Sequence, residues 1–106
     1  PKVRARDMIQ RREYRRMMFN TYFKEARSQK VSMKGRGVHG AVPAPGRHDA
    51  KEGLLAAACD REGFVLSLGM VEFHDPRRRM LSLLAPPFDQ EAAVSIRFGS
   101  IPPEQR

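Results

Sequence analysis

The sequence has a single cysteine, Cys59, and few acidic residues near its start, where Asp7, Glu13 and Glu25 face twelve Lys and Arg within the first forty positions. One thiol excludes an internal disulfide and a cysteine-rich zinc site, and it fits a reducing or redox-neutral setting. No apolar run approaches the roughly 18–20 residues that a membrane-spanning helix needs; the longest candidate, 63–73, reads as a strand. No internal repeat is visible, and 106 residues leave room for one small domain at most.

What is present is positive charge. The net charge is +8 and the pI is near 10.6, which points to nucleic acid, an anionic membrane surface or an acidic protein partner. Residues 1–40 carry +9 and residues 41–106 carry −1, the asymmetry expected of a basic arm on a more ordinary body. The Arg-rich, acid-poor start fits a transit-peptide pattern. The preferred reading keeps these arginines in the mature protein as binding residues, because the basic segment runs to Arg36 interleaved with aromatics.

Local patterns predict an α+β protein with three parts. Residues 1–34 form a basic helical arm, with one long helix over 7–30: no Gly or Pro interrupts it, good helix formers fill it, and Asp7 and Lys30 suit its two ends. Residues 35–48 form an extended Gly/Pro-rich strap. Residues 49–106 form a small mixed α/β body ending in a tail over 101–106. Within that body, a capping-box pattern at Asp49 and Glu52 predicts a short helix over 49–61. Residues 63–73 are apolar on both parities, so the strand is covered on both faces or switches faces at Gly69. Residues 80–84 suit a short strand or a short helix, and 93–98 suit a strand. A body of this size is marginal alone.

The stretch RREYRRMMFNTYFKEAR, 11–27, carries the functional reading. At 100° per residue, Met8, Phe19, Tyr22 and Ala26 share an arc, flanked by Phe23 on one side and Met18 and Tyr14 on the other. Arg11, Arg12 and Arg15 project from that same arc, with Arg16 at its edge. A helix buried in its own domain would keep those positions apolar. Arginine binds phosphate in a bidentate manner and stacks on bases, and Tyr and Phe add stacking platforms. A core helix with a solvated basic edge and a membrane-surface helix are the alternatives.

In its arginine-studded character, RREYRRMMF followed by TYFKEAR is similar to the helices of organellar ribosomal proteins. That resemblance implies a structural subunit without catalysis, set against ribosomal RNA and neighbouring proteins. A second resemblance is to the mitochondrial LYR family: Tyr14-Arg15 has Phe19 and Phe23 downstream, but Glu13 stands where that family has leucine. Its three-helix fold disagrees with the strands expected after Gly63.

Other chemistry is weaker. Glu72, His74 and Asp75 form a possible metal set without ligand spacing, more simply read as an exposed turn. Cys59 beside Asp60 reads as a buried apolar side chain and not as a reactive thiolate. Gly35, Gly37 and Gly40 match G-x-G-x-x-G, but no strand is expected before them, no helix follows, and Pro43 and Pro45 come at once. Arg77, Arg78 and Arg79 form a second basic cluster.

The sequence therefore predicts a non-enzymatic, structural RNA-binding subunit of a mitochondrial ribosome in the matrix. Its partners would be ribosomal RNA and neighbouring proteins, with no cofactor, small-molecule substrate or transmembrane segment. Phosphate contacts fall to Arg11, Arg12, Arg15, Arg16, Lys24, Arg27, Lys34 and Arg36, and packing or stacking to Tyr14, Phe19, Tyr22 and Phe23. The alternative is an accessory subunit of a mitochondrial respiratory-chain complex that binds protein and lipid headgroups.

Overall fold

The computed structural model describes residues 2–47 and 53–100, without the side chains of Met18, Phe19, Thr21, Tyr22, Phe23 and Arg47. The long helix expected over 7–30 is absent. In its place are α1 (Ala5–Gln10), α2 (Arg12–Tyr22), a 3-10 turn (Phe23–Glu25) and strand β1 (Arg27–Ser32). The helical path breaks at Arg11, whose backbone is extended at φ −91, ψ 119. Six residues of helix are unstable in isolation, so tertiary burial fixes α1: Ala5, Met8 and Ile9, at i, i+3 and i+4, are all buried.

The rest is sheet. After β1 come β2 (Gly37–His39), β3 (Gly46–Arg47), β4 (Leu54–Cys59), β5 (Val65–Asp75), β6 (Met80–Ala85) and β7 (Ser95–Ser100). Six strands run in the order β1-β6-β5-β4-β7-β2, and β3 pairs with β5 beside that path. Among the described strand pairs only β2 against β7 is parallel. Among the described residues, the expected arm, strap and body thus contribute to one sheet, and the fold is a mixed sheet with two short helices, not a long helix attached to an α/β body. The expected strap contributes β2 and β3. The helix predicted over 49–61 is strand β4 from Leu54 onward, and residues 49–52 lie outside the described residues, as does the tail over 101–106. The strands expected over 63–73 and 93–98 correspond to β5 and β7, and β6 resolves the choice left open over 80–84.

The topology forces curvature. β1 and β2 sit at opposite ends of the strand order, yet only Met33–Arg36 joins them. Six flat strands would hold those edges about 24 Å apart, five steps of roughly 4.8 Å. The chain from Ser32 to Gly37 reaches at most about 18 Å. The sheet must therefore curl until its edges approach. Arg36 fastens the seam: its guanidinium donates to the carbonyls of Ser32, Gln90 and Ala93, the last at 2.8 Å.

Two apolar layers follow from strand parity. Val31, Ala56, Val71, Leu81, Leu83, Ala85, Ile96 and Phe98 fill one face. On the opposite face, Leu55, Ala57, Cys59 and Leu68 meet Val3, Ala5, Met8 and Ile9. LLAAAC is therefore apolar at every position because β4 is covered on both faces. Small residues let α1 come close: a Cβ on Gly99 would stand 2.6 Å from Ile9 Cγ2.

Candidate functional site: a cationic concavity on the outer face of the sheet

The same parity that sends Ile96 and Phe98 inward turns Ser95, Arg97 and Gly99 to the helix-bearing face. Gly99 lies under Ile9. Nearer β2, the parallel register sets His39 opposite Arg97 and Gly37 opposite Ser95, while β4 sets Cys59 opposite Ser95. The N-terminal segment closes the other side. The amide of Val65 donates to the Val3 carbonyl at 2.8 Å, and Arg4 bridges Phe64 in antiparallel fashion. These pairings enclose a concavity of about 330 Å³ lined by Arg4, Ala5, Arg6, His39, Cys59, Gly63, Ser95 and Arg97. Among the described residues, three guanidinium groups and an imidazole line it, and no carboxylate does.

Arg4 is held in place from several sides. Its guanidinium carbon lies 4.1 Å from the Phe64 ring centroid, within cation–π range, and its Nη1 donates to the Glu62 carbonyl. Gly63, at φ +88, completes the fit, since a Cβ there would meet Arg4 Nη1 at 2.7 Å. The Gly63 turn is shaped by Asp60, whose Oδ1 accepts from the amides of Glu62 and Phe64, both at 2.9 Å. Lys2 also approaches the Phe64 ring, 5.3 Å from its centroid. Cys59 forms part of the floor. Burial pushes its thiol above the ordinary range and Asp60 adds to this, while a hydrogen bond with Ser95 and the charge of Arg97 oppose it. The group is a neutral, shielded surface and not a nucleophile.

The residues named from sequence fall into different settings. Arg11, Arg12, Arg16, Lys24, Arg27 and Lys34 are exposed. Arg12 and Arg16 line a second, shallower depression along α2 with Glu13, Met17 and Asn20. Arg11 pairs with Asp7 at 3.4 Å and approaches the Tyr14 ring. Arg15 is 5% exposed, and its Nη1 donates to the Ile9 carbonyl. It thereby satisfies a carbonyl that the break after α1 leaves without a helical partner. An arginine inside the apolar arc thus has an internal role. Arg36 likewise commits its donors to the seam. Tyr14 packs on the α1 layer, and the side chains of Phe19, Tyr22 and Phe23 lie outside what is described.

The sequence reading missed Arg4, Arg6, His39 and Arg97 as a group. The one local signal was the alternation of Ser95, Arg97 and Gly99 with buried Ile96 and Phe98. Elsewhere, Asp75 organises a turn by accepting from the amides of Arg77 and Arg78, and Glu72 accepts from Ser28 and Ser82. His74 is buried with Nδ1 unpartnered. Among the described residues no group of three His, Cys, Asp or Glu is arranged to hold a metal ion, and no helix is long and apolar enough to cross a membrane. A strand does precede the G-x-G-x-x-G glycines, since β1 ends at Ser32, but the second of them, Gly37, opens strand β2 and not a helix. No protein-family model, curated protein or solved structure matches the chain.

Proposed function

We propose that the protein binds single-stranded RNA through its phosphates, with the concavity between α1 and β7 as the central contact and the exposed cations of α2 as a flank. The observation that carries this reading is the convergence of Arg4, Arg6, His39 and Arg97 on one surface, with no carboxylate among its described lining residues. Guanidinium groups bind phosphate oxygens in pairs. Arg4, held over the Phe64 ring, offers a pre-placed guanidinium on which a base of any identity can stack. The net charge of +8 supplies long-range attraction. Membership of a mitochondrial ribosome would place such binding in the matrix; the proposal concerns RNA itself.

The test is fluorescence anisotropy of a labelled single-stranded RNA over a range of salt. Three to four phosphate contacts give a log–log slope of roughly −2 to −3, at about −0.7 per contact. Reversal of Arg97 to Glu should weaken binding and flatten the slope, and the far-UV spectrum should be unchanged because Arg97 is exposed. Binding that ignores salt, or binding to anionic vesicles but not to RNA, would sink the proposal.

A further inference from the structure

The concavity is compact as well as cationic. At about 330 Å³ it lies at the small end of ligand pockets, a size for one nucleotide unit and not for a run of them. Its floor is the outer sheet face at Cys59 and Ser95, with Ala5 and Gly63 at its sides. The cations in it are not equivalent. Arg4 is held by the Glu62 carbonyl and the Phe64 ring, so its planar group is oriented before any ligand arrives. The Phe64 ring covers the guanidinium carbon from one side at 4.1 Å, and Arg4 remains exposed along the concavity. Among the described residues, Arg6, His39 and Arg97 have no ring partner or ion pair, and the pairing of β2 with β7 places His39 and Arg97 side by side.

We infer that this concavity takes a single nucleotide bearing a terminal phosphate monoester, the phosphate among Arg6, His39 and Arg97 and the base on the open face of the Arg4 guanidinium. The inference rests on the RNA reading and deepens it. Charge decides between an end and an internal linkage. A phosphodiester carries one negative charge, whereas a monoester carries about −1.5 to −2 at neutral pH and presents three acceptor oxygens. Such concentrated charge matches a site where several donors converge and no described lining residue is a carboxylate, while successive diesters call for a groove that tracks the backbone. Stacking on Arg4 tolerates any base, so the site distinguishes how a strand ends and not its sequence.

The chemistry is shared by a 5′-phosphate, a 3′-phosphate and a free mononucleotide, and binding to the full chain separates them. The probes are one short RNA in three forms, with a 5′-phosphate, a 3′-phosphate or hydroxyls at both ends, labelled away from the varied end. Adenosine 5′-monophosphate and adenosine serve as competitors. One phosphorylated form should bind about tenfold or more tighter than the hydroxyl form, the scale of a charge-assisted contact. Adenosine monophosphate should compete where adenosine does not. Arg97→Gln should remove most of that preference, with Arg97→Lys restoring part of it. Arg12→Gln, on the flank, should weaken all three RNAs alike. Gly63→Ala, which displaces Arg4, should weaken binding of the free mononucleotide in particular. Equal affinity for phosphorylated and hydroxyl ends would overturn the terminal-phosphate assignment and leave RNA binding intact. Failure of every RNA to bind would overturn both.

Discussion

At the scale of single residues, the arginines divide by the work of their donors. Arg36 makes three hydrogen bonds to main-chain carbonyls at the seam between β1 and the segment before β7. Its replacement by Met keeps the stem and removes every donor, which should cost about 2–4 kcal/mol, the scale of half-buried carbonyls left unpaired. Urea denaturation checks this, and an unchanged midpoint would show that the seam closes without Arg36. Cys59 supplies a second prediction. Its buried thiol holds its proton more tightly folded than unfolded, so the stability it contributes is present below the ordinary value of 9.0 and is lost as pH rises through the raised folded value. At pH 7–8 iodoacetamide should leave the native protein unlabelled and react once urea unfolds it. Fast labelling of the native state would contradict the burial argument.

At the scale of elements, α1 depends on the sheet beneath it. Ile9 occupies the space that a side chain on Gly99 would need. Ile9→Ala should cost about 2–4 kcal/mol through the cavity it leaves, and Gly99→Ala about 1–3 kcal/mol through overpacking. Together they should cost less than their sum, because the truncated Ile9 makes room for the new methyl. Strict additivity in a double-mutant cycle would mean that the two residues do not touch. The same elements explain what the sequence could and could not reveal. Strands β5 and β7 were legible because their apolar residues carry two-residue periodicity or lie in a dense run. β4 was not, because Leu and Ala favour helices locally, and only its burial between two layers selects the extended form. RSQKVS in β1 has one buried apolar residue, Val31, and becomes a strand through its register with β6. The long helix failed at Arg11 because burying Met8 and Ile9 fixes α1 on the sheet, and Arg15 then closes the break.

At the scale of the whole molecule, the basic character was legible but its focus was not. Counting charges places the excess in the first forty residues, yet the concavity draws on Arg4 and Arg6 from the start, His39 from the expected strap and Arg97 from the final strand. Only the curled sheet, closed by a four-residue connection, brings those positions together. The arginines of the stretch 11–27 are close neighbours in sequence. Adjacency does not establish a shared surface, and Arg15 is buried while Arg12 and Arg16 are exposed.

The most direct test of the account is amide chemical-shift mapping of the full chain titrated with a phosphorylated single-stranded RNA. The account predicts that the largest shifts fall at residues 4–6, 39, 63 and 95–97, with smaller ones along α2. Shifts confined to α2 and the β5–β6 turn, with the concavity unmoved, would contradict it.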